Sequence, residues 1–168
     1  MNQEEKQEFS SAGTSVNSRK VPAIFKRIKW KKGTRNLDRG GGKYDTACDY
    51  MASIGCENAI YDPYNRMPGE NALVLMDAPY DTVTISNVLN VIKEKAIRIG
   101  TVENALIYLK DGGTMYIGVY EGNGSGAGCK TKTGCWQNNR KLEGYMEELE
   151  QFHPVIRRHM IIITKEGK

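Results

Sequence analysis

Apolar residues along this chain follow two different spacings. In residues 81–87, Val83 and Ile85 alternate with threonines, and a period of two predicts a β-strand. In residues 93–109, apolar side chains recur every three or four positions, which predicts a helix with one apolar face. The same reasoning predicts further strands over 34–38, 58–61, 72–76, 114–120 and 160–164, and further helices over 44–54 and 140–152.

The order of these elements indicates the class of fold. Strands that alternate with helices form βαβ units. We therefore expect an α/β fold: a Rossmann-like, doubly wound, mostly parallel sheet with helices on both faces. The chain ends soon after the last predicted strand, so the C-terminal hairpin is expected to be shortened. A shortened sheet leaves an open edge, which favours a homo-oligomer.

The domain organisation follows from length and local composition. The chain has 168 residues, the size of one domain. Residues 1–20 are rich in glutamine, glutamate, serine and asparagine, and we expect a disordered polar tail there. Residues 21–168 are expected to form one ligand-binding domain.

Composition and charge restrict the class of protein. Apolar residues make up 39% of the chain, no run of eighteen of them occurs, and no secretory signal is visible, so we expect a cytoplasmic protein without a membrane partner. The net charge is +4, and basic residues cluster between Arg19 and Arg35, beside Phe25 and Trp30. This segment is either a solvated face or a contact for DNA or RNA.

The four cysteines and two histidines offer little chemistry by their spacing. No two cysteines form a CxxC pair, so a zinc site is not expected, and we interpret the cysteines as reduced thiols. His153 and His159 follow the last predicted helix, far from the expected ligand end of the sheet. Catalysis by a nucleophile with a histidine base is therefore not expected.

A glycine turn lies where the first predicted strand meets its helix. Asp38 ends the strand, and Gly40, Gly41 and Gly42 follow it. Glycines there allow a sharp turn and a close approach of backbone to ligand. Asp62 lies twenty residues beyond Gly42, at the tip of the next strand, where a carboxylate can bind ribose hydroxyls. The pair of sites predicts a nucleoside ligand, against the alternative of an ordinary tight turn followed by a strand-ending acid.

The same residues distinguish two nucleoside ligands. A dinucleotide requires G-x-G-x-x-G, because its pyrophosphate sits on the N-terminus of the following helix, and the third glycine is absent here. Asp38 would repel a pyrophosphate, whereas its carboxylate suits the ammonium group of a methionine moiety. The charge argument favours S-adenosylmethionine over a nicotinamide cofactor.

These residues carry a resemblance to a known family. Residues 36–45 resemble motif I, D-x-G-x-G, of the class I S-adenosylmethionine-dependent methyltransferases, and Asp62 resembles their ribose-binding acid. Residues 86–91 resemble the segment that packs beside the sulfonium of S-adenosylmethionine in this family. From about Trp30 to Lys165, the chain is similar to small methyltransferase-like proteins of phages and bacteria. It departs from the family at Arg39, where a small or apolar residue is usual, and at Tyr44, which replaces the third glycine.

The resemblance implies S-adenosylmethionine as cofactor and a role for each matching residue. Asp77 or Ala78 would form one boundary of the adenine pocket. The implied cofactor-binding residues are Asp38, Gly40, Gly41, Gly42, Asp62, Pro63, Tyr64 and Asn87.

The acceptor side is less defined. The catalytic candidates at the ends of the strands over 81–87 and 114–120 are Asn87, Asn90, Tyr120 and Glu121. Trp136 follows a glycine-rich loop over 121–134, and it either closes over the site as a lid or seals the core. The motifs typical of enzymes that methylate adenine N6, cytosine N4 or cytosine C5 are absent from this sequence.

The predicted function is an S-adenosylmethionine-dependent methyltransferase with an unidentified acceptor, for which nucleic acid is one candidate. The alternative is a binding protein that keeps the fold without transfer, such as a phage factor that inhibits a host defence or nucleic-acid machine in the host cytoplasm. An enzyme that breaks down S-adenosylmethionine is a third hypothesis, and a nicotinamide-dependent oxidoreductase is disfavoured.

Overall fold

A computed structural model describes residues 6–14 and 19–167. The helices are α1 (Ala23–Arg27), α2 (Thr46–Ser53), α3 (Pro68–Met76) and α4 (Lys95–Ile107), with 3₁₀ turns at Leu89–Val91, Leu142–Tyr145 and Glu147–Phe152. The strands are β1 (Arg35–Arg39), β2 (Glu57–Tyr61), β3 (Tyr80–Ser86), β4 (Leu109–Gly118), β5 (Gly128–Lys130), β6 (Trp136–Asn138), β7 (Val155–Arg157) and β8 (Met160–Thr164).

The main sheet has six strands in the order β2-β1-β3-β4-β8-β7. Strands β2, β1, β3 and β4 are parallel, and β8 and β7 continue the sheet in antiparallel pairing. The chain passes from β1 to β2 on one side and then returns to β3 on the other side of β1. The carboxyl ends of β1 and β3 therefore form the topological switch point at which doubly wound sheets bind ligands. The predicted Rossmann-like, mostly parallel fold is confirmed.

Apolar residues cover both faces of the sheet, as expected from its doubly wound topology. Along β8, Ile161 and Ile163 join one apolar cluster, whereas Met160 joins the other. The first cluster includes α4 and the two 3₁₀ turns after residue 141, and the second includes α1 and α2. Among the described residues, no helix has the length and apolar character needed to cross a membrane.

The strand predicted over 72–76 is wrong, because this segment belongs to α3. An apolar run of five residues does not distinguish a strand from a helix by periodicity alone. The stronger local signals are those of a helix start: Pro68 is the first helical residue, and the Glu70 side chain accepts a hydrogen bond from the backbone N–H of Met67 (2.9 Å). The helix leads directly from β2 to β3, so β2 is an edge strand.

The helix predicted over 140–152 is instead two 3₁₀ turns. Its buried positions Leu142, Tyr145 and Glu148 recur every three residues, which matches the three-residue turn of a 3₁₀ helix better than an α-helix. Two other turn regions are also more ordered than expected. Residues 111–113 lie within β4, and the glycine-rich loop contains β5, which pairs with β6.

The structure describes the C-terminal hairpin and part of the N-terminal tail, for both of which the sequence made a prediction. The C-terminal hairpin is present, but β7 has only three residues, in agreement with the predicted shortening. Within the predicted disordered tail, residues 6–14 pack on the domain, because Phe9 finds an aromatic partner in Trp136. The parts of that tail over 1–5 and 15–18 lie outside the described residues.

Candidate functional site

Two adjoining cavities lie at the carboxyl ends of β1, β2 and β3. The larger has a volume of about 570 Å³ and the smaller about 160 Å³. Their walls share Thr14, Gly40, Asn87 and Val91. The two cavities therefore form one bent cleft at the switch point of the sheet.

The glycine turn forms part of the cleft wall. Gly40 has a φ of +82°, and a Cβ there would lie 2.4 Å from Val88 Cγ2. A Cβ on Gly41 would lie 2.5 Å from the Asp38 carboxylate. Gly42, also at positive φ, donates its backbone N–H to Asp62 Oδ2 (2.9 Å). A side chain at either of the first two glycines would therefore collide with the protein's own atoms, so the turn that places Asp38 beside Val88 at the cleft requires glycine at both positions.

Asp38 lines the larger cavity with a carboxyl group that is only partly satisfied. The residue is 1% exposed, and its Oδ1 accepts a hydrogen bond from Thr84 Oγ1 (2.9 Å). Its Oδ2 is buried without a hydrogen-bond partner among the described residues. Burial, with a smaller contribution from Asp62, raises the pKa of Asp38 to about 7. An acid held in this state suits a cationic ligand group, which would supply the missing partner.

Asp62 holds the neighbouring loops together. Its Oδ2 accepts the Gly42 N–H, and its Oδ1 accepts the backbone N–H groups of Tyr64 (2.9 Å) and Asn65 (3.0 Å) and the Asn65 side chain. Asn71 binds the backbone of Asp62 on both sides. One lone pair of Oδ2 stays available, which is enough for one ribose hydroxyl. Pro63 and Tyr64 line the smaller cavity beside Asp62.

The segment after β3 forms the opposite wall. Asn87 lines both cavities in a left-handed conformation (φ 57°), and its N–H donates to the carbonyl of Gly118 (2.8 Å). Asn90 lines the larger cavity, and its side-chain oxygen is buried without a partner among the described residues. Tyr120 lines the same cavity near its mouth, 61% exposed.

Two groups of predicted site residues lie elsewhere. Glu121 lines neither cavity; its carboxylate accepts the N–H of Leu142 (2.8 Å) and lies 3.5 Å from His159 Nε2, so it caps a 3₁₀ turn. Asp77 pairs with Arg35 at the start of β1, the opposite end of the sheet from the cleft, and Ala78 packs against the core. The adenine role implied for Asp77 or Ala78 is wrong, because α3 replaces the strand that would have carried them to the cleft.

The sequence did not reveal one charged residue of the smaller cavity. Arg39 lines it, with its guanidinium carbon 4.4 Å from the centre of the Tyr61 ring. Its Nη1 is buried without a hydrogen-bond partner among the described residues, and burial lowers its pKa. The only signal in the sequence was the departure from the usual small or apolar residue at this position.

The sequence analysis also did not predict that a roof covers the cleft. Gln7, Ser11 and Thr14 of the N-terminal segment line the smaller cavity, and Thr14 reaches the larger. Phe9 anchors this segment by stacking on Trp136, with ring centres 5.2 Å apart. Trp136 therefore belongs to the roof and not to the core, and the signal that was missed is one phenylalanine in a polar stretch.

The roof is also tied to the body of the protein by charge. Lys93 Nζ lies 5.2 Å from the ring centres of both Phe9 and Trp136, and it forms an ion pair with Glu8. Within the part of the chain that the structure describes, no cluster of three histidine, cysteine or acidic side chains could hold a metal ion. The chemistry of the cleft is that of hydrogen-bonding groups with two buried acids, Asp38 and Asp62, and the guanidinium of Arg39.

Comparison with known proteins gives no relative by sequence but a consistent fold. No protein-family model and no curated protein sequence matches the chain. The 1,6-didemethyltoxoflavin N1-methyltransferase of Burkholderia thailandensis, solved with S-adenosylhomocysteine, is similar at a TM-score of 0.58 and 18% identity, over 81% of this chain and 72% of that one.

Two further solved structures show the same likeness. A sugar N-methyltransferase from Streptoalloteichus sp ATCC 53650 is similar at a TM-score of 0.56 and 10% identity, over 91% of this chain and 90% of that one. For phosphoethanolamine N-methyltransferase 2 of Haemonchus contortus, the TM-score is 0.51 and the identity 22%, over 79% of this chain and 36% of that one. The chain therefore has the Rossmann-like fold found in these methyltransferases.

Proposed function

We propose that this protein binds S-adenosylmethionine in the cleft and transfers its methyl group to a small-molecule acceptor. The observation that carries the proposal is Asp38: a buried carboxyl with one unpartnered oxygen, on the wall of the larger cavity beside a glycine turn that tolerates no side chain. The α-ammonium of a methionine moiety would pair with that oxygen. The structures of similar fold that contain S-adenosylmethionine or S-adenosylhomocysteine support this ligand.

The residues of the cleft fit the cofactor. Gly40, Gly41 and Asp38 would hold its methionine part, Asp62 one ribose hydroxyl, and Pro63 and Tyr64 the adenine side, with Asn87 between the two cavities. When bound, S-adenosylmethionine supplies a methyl group on a sulfonium: the acceptor's lone pair forms the new bond to carbon while the carbon–sulfur bond breaks and its electrons pass to sulfur.

The acceptor would occupy the larger cavity. Asn90 and Tyr120 stand on its wall and remain acceptor-side candidates, whereas Glu121 does not reach it. The roof formed by residues 6–14 and the β5–β6 hairpin leaves a volume suited to a small molecule. Alignment of acceptor and methyl group, with water excluded, is the main requirement for this reaction.

A nucleic-acid partner is the second candidate, supported by one feature of the fold. The basic segment runs over α1, and Arg158 of the β7–β8 turn donates a hydrogen bond to the carbonyl of Arg27, which adds its charge to the same surface. Anisotropy titration with labelled DNA and RNA at low salt tests this surface. Binding that is absent even at low salt would exclude it.

The experiment that tests the main proposal is calorimetry with S-adenosylmethionine, S-adenosylhomocysteine and NAD. We expect the first two to bind and NAD not to bind. Gly41→Ala should abolish binding, because its Cβ would press on the Asp38 carboxylate. Gly100→Ala, in α4 with open space around its Cβ, is the matched control and should bind as the parent does. Equal binding by both variants would contradict the assigned site.

The same purified protein can be used to test the remaining hypotheses. A fold that binds S-adenosylmethionine without transfer, such as the phage factor considered above, would leave a mixture of candidate acceptors unmethylated. An enzyme that degrades the cofactor would release products with no acceptor present. Sedimentation would test the homo-oligomer expected from the shortened C-terminal hairpin, and a single monomer species at high concentration would exclude it.

A further inference from the structure

The side-chain amides of Asn90 and Gln137 form a hydrogen-bond chain with two backbone carbonyls along the wall of the larger cavity. Gln137 Nε2 donates to the backbone oxygens of Tyr120 (3.2 Å) and Asn138 (2.7 Å). Since both partners are carbonyl oxygens, this end of Gln137 must be its NH₂ group. Gln137 Oε1 is therefore an acceptor, and Asn90 Nδ2 donates to it at 3.2 Å.

The chain fixes the orientation of Asn90. Its NH₂ group must face Gln137 Oε1, so its Oδ1 is left as the free end. Asn90 is 2% exposed, and Oδ1 has no hydrogen-bond partner among the described residues. A buried amide oxygen without a donor is costly, and a ligand in the cavity that Asn90 lines would remove that cost by donating an N–H or O–H.

The other groups on the wall restrict which donor this can be. Among the described residues, no histidine, cysteine or glutamate lines the larger cavity, and its one carboxyl is Asp38, which the cofactor would take. Lys20, which also lines this cavity, is exposed. Tyr120 is largely exposed to water. Apart from Asp38, the described wall of the cavity thus offers a buried hydrogen-bond acceptor, Asn90 Oδ1, but no buried base.

An acceptor that must lose a proton before attack does not suit this wall. An alcohol needs a base. A thiolate has no hydrogen to donate, and it would face Asn90 Oδ1 with like partial charge. A neutral amine has both features together: its lone pair attacks, and its N–H donates to Asn90. The extra proton on nitrogen leaves to water after the methyl group has been transferred.

On the basis of the methyl transfer proposed above, we propose that the acceptor is a weakly basic amine, of the arylamine kind, and that Asn90 Oδ1 accepts a hydrogen bond from its N–H. Weak basicity is required because a protonated amine has no lone pair to attack with. Asn90 is then the residue that selects the nucleophile and orients its lone pair.

The test uses the full chain saturated with S-adenosylhomocysteine. The probes are one- and two-ring arylamines, each with its phenol and its N,N-dimethyl counterpart, and binding is followed by saturation-transfer NMR and calorimetry. We expect arylamines to bind and their N,N-dimethyl counterparts to bind about tenfold more weakly, the loss of one buried hydrogen bond. Equal binding of an arylamine, its phenol and its N,N-dimethyl counterpart would overturn the proposal, as would the absence of any arylamine that binds.

Variants distinguish a failure of the arylamine proposal from a failure of the proposed methyl transfer on which it rests. Asn90→Leu should reduce arylamine binding about tenfold while calorimetry with S-adenosylmethionine stays unchanged. Asn104→Leu, which removes an amide on α4 outside both cavities, is the matched control. If the parent protein fails to bind S-adenosylmethionine, the proposed function fails; if it binds the cofactor and Asn90→Leu binds arylamines normally, only the role of Asn90 fails.

A pH profile gives a readout that a structural role of Asn90 would not produce. At saturating S-adenosylmethionine, and with no base on the wall other than Asp38, which the cofactor would occupy, the rate should follow the ionisation of the amine itself. Across arylamines of different basicity, the acid limb of the profile should move with each amine's own pKa. A limb that stays fixed when the amine changes would indicate a base in the protein, contrary to the proposal.

Discussion

At the scale of single residues, the cleft is marked by polar atoms that the folded chain leaves unsatisfied. Ser11 Oγ, Asp38 Oδ2, Arg39 Nη1 and Asn90 Oδ1 are all buried without partners among the described residues, and all four residues line the same cleft. Buried polar groups are nearly always paired in folded proteins. Four exceptions around one cleft indicate that a ligand completes the hydrogen bonding.

Replacing Asp38 should stabilise the protein and weaken its binding. The pKa of Asp38 is about 7 in the fold, against an ordinary value of 3.8 for an aspartate in water, so the folded state holds its proton more tightly. Its stabilising contribution is complete below pH 3.8 and is lost as the pH rises through 7. Asp38→Asn should therefore raise the free energy of unfolding at pH 8 by up to about 4 kcal/mol, and by less at pH 5.

Denaturant titration at the two pH values measures this effect, and calorimetry with S-adenosylmethionine measures the expected loss of affinity. Asp81→Asn is the control of opposite sign, because hydrogen bonds from Lys110 and from the backbone of Arg35 lower the pKa of Asp81. The ionised Asp81 side chain stabilises the fold above the pKa that this group has in the unfolded chain, and the stabilisation is lost as the pH falls. An Asp38→Asn variant less stable than the parent at pH 8 would contradict the assignment.

At the scale of elements, the roof is held by few contacts and is the part of the site most open to change. One aromatic stack, one lysine and a hydrogen bond from the Glu8 N–H to Glu94 Oε1 (3.0 Å) join residues 6–14 to the β5–β6 hairpin and the segment after β3. A second hydrogen bond runs from the Tyr64 hydroxyl to Gln7 Oε1 (2.9 Å). Segments with few buried contacts open locally before the domain unfolds. Entry and release of a ligand would therefore pass through this roof.

Phe9→Leu should speed release of S-adenosylhomocysteine. Leucine keeps an apolar contact with Trp136 but loses the ring stacking, worth about 0.5–1.5 kcal/mol. Stopped-flow displacement should show a dissociation rate about threefold to tenfold higher, with little change in the denaturation midpoint. Phe152→Leu, which alters a ring packed against the main core, should lower the midpoint and leave the rate unchanged. If Phe152→Leu raised the dissociation rate and Phe9→Leu did not, residues 6–14 would not form the roof.

At the scale of the whole molecule, one buried ion cluster joins the C-terminal 3₁₀ turns to α4. Glu148 accepts two hydrogen bonds from Arg98 (2.8 and 2.7 Å) and one from Arg140 (3.1 Å). Arg98 also donates to the carbonyls of Ile92 and Lys93, close to the 3₁₀ turn that carries Asn90. The cluster therefore links the C-terminal part of the chain to the wall of the cleft.

Glu148→Gln should destabilise the whole fold. The change leaves the buried guanidinium of Arg98 without its counter-charge, and breaking a buried pair in this way costs about 3–5 kcal/mol. Thermal and denaturant unfolding measure the loss, which should be insensitive to salt because the pair is shielded from solvent ions. Glu147→Gln, on the exposed side of the same turn, should change the midpoint little. Equal effects of the two substitutions would rule out the cluster as a link.

The sequence by itself determined the class of fold and the floor of the cleft. Alternating and three-to-four spacings located β1 to β4, β8, α2 and α4, and Asp38 with its glycines could be identified because a strand-to-helix turn has strict local requirements. The fate of residues 72–76 was ambiguous, because five apolar residues satisfy a strand and a helix equally.

Only the tertiary structure decided which side chains are completed by neighbours and which are not. Glu121 and Asp77 looked like site residues, but partners distant in sequence bind both of them. Asn90 became informative only through Gln137, forty-seven positions away, and the roof only through the stacking of Phe9 on Trp136. Hydrogen-bond satisfaction and burial depend on contacts between distant segments, and local sequence patterns carry no record of them.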